Sequence, residues 1–392
     1  GDLMAHLRRR ANGNWIITIE KGVNPLTGKR ERIYKTIPNS KNMTRPEAEI
    51  EMAKILVELD AGTFVEPDNL TLGEFLLTWL ENEIEPNLAP RSIEKYSEIV
   101  KRHIIPALGT IPLQKLKPYH IQQYQSHKLK SGRLDGKPGG LSNKSVRTHI
   151  HVLSRALKDA ISLQLIKSNP CENIKIPRAK KTTVNYLEEN EVNILLEYIK
   201  ENGKDWDYVF ISLAIHTGMR RGELLGLSWD NVDFRANKIY VRKILQRVRN
   251  QGLFLQPYPK SDSGWRSIDI SPRMAEILKE HRKEQLEFRM QYGPGYQDNN
   301  MVFCNKDGSF VNPGSVTRRF NRYLERAGVK KIRLHDLRHT HASLLLKAGV
   351  QPKVVQERLG HSSITMTMDI YSHLFPSLQK EAAEKIDDMV QI

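Results

Sequence analysis

Residues 335–371, HDLRHTHASLLLKAGVQPKVVQERLGHSSITMTMDIY, are the stretch to which any fold of this chain must answer. Two histidines and an arginine open it, a buried helix and a glycine turn follow, His361 comes directly after Leu359 and Gly360, and Tyr371 closes it. The polar groups are placed at the ends of apolar segments, where folding can gather them for chemistry on a phosphate.

Tyrosine alone is a poor nucleophile, since a phenol with a pKa of about 10 is ionised to roughly one part in a thousand at neutral pH. It needs a base beside it and a polarised electrophile. A phosphodiester qualifies only when fixed cations hold the non-bridging oxygens that gain charge in the transition state. Arginine fits that task, being always charged and able to meet two oxygens with one planar fork.

Arg338 is one candidate and Arg220 the other. Arg220 lies in His216-Thr217-Gly218-Met219-Arg220-Arg221-Gly222-Glu223, after the apolar run 208–215. That run predicts a buried helix ended by Gly218 as a glycine cap. A second helix over about 220–228 would put Arg220 at its N-terminus, where backbone amides also favour an anion. Glu223, one turn on, is suited to orient a basic group.

Four segments, in this order, carry a resemblance: Thr217-Gly218-Met219-Arg220-Arg221-Gly222-Glu223, His335-Asp336-Leu337-Arg338, Leu359-Gly360-His361, and Tyr371. Together they resemble the signature of the tyrosine recombinases, and within that family the phage and conjugative-transposon integrases. The resemblance implies that Arg220 and Arg338 clamp the scissile phosphate, while His335 and His361 hydrogen-bond its oxygens and help move protons. Tyr371 would attack, leaving a 3′-phosphotyrosine and a 5′-hydroxyl. In this family a lysine on a β-hairpin protonates the leaving oxygen. Lys260, between residues 253–255 and 265–270, matches that position, with Lys243 on a neighbouring predicted strand as the alternative.

The charge supports such a partner. Across 392 residues the net charge is +16, which favours a polyanion, nucleic acid before an anionic membrane. No stretch approaches the ~18 apolar residues of a spanning helix, and residues 3–10 are basic with no apolar segment after them, unlike a signal peptide. Cys171 and Cys304 make no disulfide framework, so the reading is a reducing, cytoplasmic and nucleoid-associated setting, with both thiols inert in the core.

Taken in order, the chain predicts a multidomain α+β protein. Residues 1–66 hold three short strands, two of them about a hairpin loop at 24–28, backed by a helix that Thr44 and Glu47 start as a capping box. Ala48, Met52, Ile55 or Leu56, and Leu59 form its apolar face. The resemblance makes this module, basic at Arg8, Arg9, Arg10, Lys29, Arg30, Arg32 and Lys35, a binder of separate DNA arm sites. After a linker at 63–69, residues 67–174 predict a helical bundle, the family's core-binding domain. It carries a second capping box at Thr71 and Glu74, a helix from Pro90 that stops before Pro106, and a long helix capped by Ser142. Residues 175–185 are a basic connector. Residues 186–392 are mostly helical with a small antiparallel sheet, and end in an amphipathic helix marked by Leu378, Ala382, Ile386 and Met389. In the family such a tail docks on a neighbouring subunit, which implies a homotetramer on double-stranded attachment sites, with an excisionase and a host DNA-bending protein as further partners.

The same residues also admit blander readings. His335 and His339, four apart on a helix, have a spacing seen in zinc sites, but no glutamate takes the general-base position and the cysteines are remote, so no metal or other cofactor is expected. His339 and His341 read as packing groups, Arg221 as a surface salt bridge, and Arg318, Arg319, Arg322 and Arg326 as a phosphate-facing or solvated helix face. The competing functions are a DNA-binding regulator without activity and a type IB topoisomerase.

Overall fold

A computed structural model of the chain describes residues 4–23, 30–38, 40–61, 65, 68–176, 178, 184–249, 251–257, 266–361, 363–371 and 376–390. The hairpin loop at 24–28, most of the 63–69 linker, residues 177 and 179–183 of the 175–185 connector, and Lys260 lie outside the described residues. The chain divides into two compact units, 1–181 and 182–392.

In the first unit, β1 (Met4–Arg9), β2 (Trp15–Val23) and β3 (Arg30–Thr36) form an antiparallel sheet in that order. Ile17, Ile19 and Ile33 bury one side of it against Ala48 and Ile55 of α1 (Arg45–Asp60). Helix α1 begins as its sequence dictates, the Glu47 carboxylate accepting from the backbone and hydroxyl of Thr44.

A separate core belongs to the bundle. Thr71 and Glu74 cap α2 (Leu72–Trp79) reciprocally. The helix then passes through a π-turn, Leu80–Ile84, into α3 (Glu85–Asn87). The pattern recurs in α4 (Pro90–Ile99), a π-turn at Val100–Ile104, and α5 (Ile105–Leu108). Pro106 therefore does not stop its helix as the sequence predicted. Proline lacks an N–H and crowds the carbonyl four residues back; the turn just before Pro86 and Pro106 is wider, its bonds running five residues back from Glu85 N to Leu80 O and from Ile105 N to Val100 O. α6 (Pro118–Ser131) and α7 (Asn143–Ser162) complete the bundle. Trp79 Nε1 donates to Asp159 of α7 at 2.7 Å.

The second unit starts with α8 (Glu189–Asn202) and α9 (Asp207–Thr217). α10 (Arg221–Leu225) is only five residues, shorter than the 220–228 expected. Among the described residues the predicted single sheet is two. β4 (Val232–Asp233), β5 (Lys238–Val241) and β8 (Arg266–Asp269) form one, with Ile239 opposite Ile268, while β6 (Lys243–Val248) and β7 (Gly252–Pro257) pair as a hairpin with Lys243 opposite Pro257. A break at Arg242 divides what the apolar pattern read as one strand.

α11 (Pro272–Tyr292), α12 (Pro313–Ala327), α13 (Asp336–Lys347), α14 (Pro352–Leu359), α15 (Ile364–Tyr371) and α16 (Pro376–Met389) follow. Phe210, Phe303 and Phe320 are fully buried in the unit's main core. Arg319 is no solvated residue: it forks onto buried Asp207 at 2.8 Å and stacks over Trp206. Arg221 likewise reaches Thr317 Oγ1 at 2.8 Å. Both cysteines are buried, and burial pushes the Cys171 thiol up to about 12. In α16, Ile386 and Met389 are exposed, Met389 by 82%.

Candidate active site

Three of the sequence-predicted residues, Arg220, His361 and Arg338, meet at two helix ends. α9 ends on Gly218, whose φ of +66° is a left-handed conformation that favours glycine. Space requires glycine as well, because a Cβ there would stand 2.7 Å from His341 Cδ2. α14 ends the same way on Gly360, at φ +65°. Arg220 follows the first corner by two residues, and His361 follows the second directly.

Arg338, only 3% exposed, ties the corners together. It projects from the first turn of α13, donating from Nη1 to Gly218 O at 2.9 Å and from Nη2 to Leu359 O at 2.5 Å. Segments separated by more than a hundred residues are thus fixed by two of the five donors of one guanidinium.

Glu223 is fully buried, and its carboxylate organises the arginines around it. It accepts from the backbone N–H of Arg220 at 2.8 Å and from Arg220 Nη1 at 2.9 Å. That contact satisfies the Arg220 N–H at the N-terminus of α10 with the chain's own carboxylate. Arg266 also donates to it, from Nη2 at 2.6 Å and Nη1 at 3.3 Å. Burial opposes the charge on Glu223, but the guanidiniums of Arg266 and then Arg220 keep its carboxyl below the usual carboxylate range.

The histidines here are shifted toward the neutral form. Burial first, then the charges of Arg338 and Arg220, pulls His361 down to about 4. Its Nδ1 lies 2.9 Å from the hydroxyl of buried Thr367 on α15. His335, at the head of α13, reaches solvent yet is lowered by partial desolvation and by Arg338. His339, its ring edge-on to His335 at 5.6 Å, is pulled to about 4 by burial and by His335. Among the described residues no three His, Cys, Asp or Glu side chains converge as a metal set. Tyr371 closes α15, and its side chain is not among those described. Lys243 is exposed on β6.

Behind this layer lies one that sequence reasoning missed. Arg358 donates to His216 O at 3.0 Å and Asp269 O at 3.2 Å, and its Nε is 3.5 Å from His341 Nε2. His341 Nδ1 lies 2.8 Å from Ile215 O. A carbonyl only accepts, so Nδ1 carries the proton and Nε2 faces Arg358 as acceptor. Burial accordingly pulls His341 down to about 3. Arg266, Arg358 and Thr367 could have been noticed only as polar residues at the margins of apolar segments, a signal shared by many surface residues.

Two family descriptions match the chain: the phage integrase family over residues 185–377 and the phage integrase N-terminal SAM-like domain over residues 71–129. A tyrosine recombinase XerC-like protein of Caldanaerobacter subterraneus is 28% identical, over 88% of this chain and 90% of its own. The ICEBs1 integrase of Bacillus subtilis is 27% identical, over 98% of this chain and all of its own. Among solved structures, the Tn1549 transposon integrase in complex with a circular intermediate DNA superposes with a TM-score of 0.65 at 21% identity, covering 81% of this chain and 99% of that one, a likeness of fold. The chain belongs to the phage integrase family of tyrosine recombinases. It is an integrase-type DNA recombinase with the mixed α+β architecture of that family.

Proposed function

We propose that Tyr371 attacks a DNA phosphodiester whose non-bridging oxygens are held by Arg220 and Arg338 and hydrogen-bonded by His335 and His361. As the bond from phosphorus to the tyrosine oxygen forms, the bond to the 5′-oxygen breaks, and that oxygen takes a proton from Lys260 or, failing that, Lys243. A neutral His361 or His335 can accept the phenol proton, which an imidazolium cannot. Rejoining is the same step reversed by the 5′-hydroxyl of another strand. The phosphotyrosine conserves the phosphodiester bond energy, so neither metal nor nucleotide is required. The observation that carries this reading is the pair of bonds from Arg338 to Gly218 O and Leu359 O, which sets the segments bearing Arg220 and His361 about one guanidinium.

In this reading residues 67–174 grip the core site, residues 1–66 bind separate arm sites, and 175–185 connect them to the catalytic domain at 186–392. The substrate is double-stranded DNA of a mobile element's attachment sites, as the DNA complex of the Tn1549 relative suggests. The exposed Ile386 and Met389 of α16 fit docking on a neighbouring subunit in a homotetramer. Excisionase and host DNA-bending protein complete the assembly.

The test is a nicked suicide duplex bearing the cognate crossover site, incubated without metal and resolved by denaturing electrophoresis. Wild type is expected to give a covalent protein–DNA band that Tyr371→Phe does not, with DNA binding retained and steeply salt-dependent. A band from Tyr371→Phe would overturn the nucleophile. No band from either protein on a bound site would favour the inactive regulator, and relaxation of supercoiled DNA without strand exchange would favour the topoisomerase.

A further inference from the structure

The unexplained feature of the site is its second arginine on Glu223. A buried carboxylate and a single arginine form a neutral pair, and such a pair has little attraction left for a phosphate. Here one carboxylate meets two guanidiniums, so the trio keeps a net charge of +1. The two arginines are not equivalent. The Arg266 side chain is 9% exposed and that of Arg220 is 36% exposed, so the surplus charge faces outward through Arg220.

Arg266 is placed for this by three constraints. Its backbone is paired with Val241 in the β5–β8 ladder. Its Nε donates to Arg358 O at 3.1 Å, at the end of α14. Its guanidinium occupies the space beside Gly360, where a Cβ would lie 3.0 Å from Arg266 Cδ and Nη1. The side chain therefore presents its Nη atoms to Glu223 from a fixed direction, opposite a carboxylate that α10 also holds rigidly.

We infer that Arg266 is a positioning residue for DNA cleavage, neutralising Glu223 so that the charge of Arg220 is directed to the scissile phosphate instead of being spent on the carboxylate. This rests on the reading that Arg220 clamps that phosphate. Without Arg266, Glu223 would draw Arg220 inward, away from the substrate. The role is distinct from general packing because it depends on the charge of Glu223, and removing that charge should undo the defect.

The experiment measures single-turnover cleavage of the suicide duplex, DNA affinity and thermal unfolding for wild type, Arg220→Ala, Arg266→Met, Arg266→Lys, Glu223→Gln and the double variant Arg266→Met/Glu223→Gln. Arg266→Met is expected to cleave roughly tenfold to a hundredfold more slowly, the scale of a ~1 Å misplacement of a catalytic group, with DNA affinity unchanged. The double variant should cleave faster than Arg266→Met alone, and Arg266→Lys, which keeps the charge but loses the fork, should recover most of the rate. If the double variant is slower than either single one, or Arg266→Met cleaves at the wild-type rate while Arg220→Ala is slow, the inference is wrong and the site reading stands. If Arg220→Ala itself cleaves at the wild-type rate, the site reading falls and takes the inference with it. Should Arg266→Met fail to fold, Arg266→Lys decides: a rate as low as that of Arg220→Ala would mean that the bond to Arg358 O matters and the charge does not.

Discussion

The two glycine corners of the catalytic unit have the same backbone and different surroundings. Gly218 and Gly360 both end a helix in the left-handed region, and Arg338 binds a carbonyl at each. Around Gly218 the near neighbours are the His341 ring and Leu359, both core groups. Around Gly360 the neighbour is the Arg266 side chain. Packing thus defines the first corner and charge the second, so damage to the first should register as lost stability and damage to the second as lost rate.

The most severe test removes what the corners share. Arg338→Ala should slow cleavage by roughly a hundredfold or more, the cost of one charge-stabilising donor. It should also lower unfolding free energy by about 2–4 kcal/mol, because two carbonyls lose a buried donor. Single-turnover cleavage and urea denaturation give the two numbers. Arg220→Ala should match the kinetic loss with a smaller loss of stability, since Glu223 keeps Arg266; equal destabilisation by the two variants would erase the distinction between them.

Gly218→Ala comes next, with about 2–4 kcal/mol expected from left-handed strain and overpacking against His341. A thermal melt should show it plainly. Gly360→Ala should carry the strain alone, about 1–3 kcal/mol, yet reduce cleavage by roughly tenfold, as it displaces Arg266. If Gly360→Ala proves kinetically silent while Gly218→Ala does not, the assignment of charge to the second corner fails.

A further effect is on pH. His361, His339 and His341 have folded pKa values well below the ordinary 6.5, at about 4, 4 and 3. Between these values and 6.5 the unfolded chain binds more protons, so stability should be fully present above pH 6.5 and decline as the pH falls toward 4. Urea unfolding across that range checks the sign, and His341→Gln should flatten the slope.

How much of this was legible in the sequence depended on distance along the chain. Capping boxes such as Thr71 with Glu74 were readable because both partners lie within one turn, and Gly218 and Gly360 because a glycine after an apolar run has one common use. Arg266 was not, because its partners Glu223 and Arg358 are 43 and 92 residues away and meet it only in the folded unit. Arg319 was misread for the same reason, its partner Asp207 being 112 residues distant. The π-turns escaped because a proline in a helical pattern ordinarily signals an end, and only the fold shows that an extra residue per turn has absorbed it.

The bonds of Arg338 also bear on when this protein becomes dangerous to DNA. One of them spans 120 residues and the other ends at Leu359, twelve residues before Tyr371. A growing or truncated chain that stops short of Leu359 has neither the second carbonyl nor the phenol. If Tyr371 is the nucleophile proposed above, competence to cut is among the last properties the polypeptide acquires during synthesis.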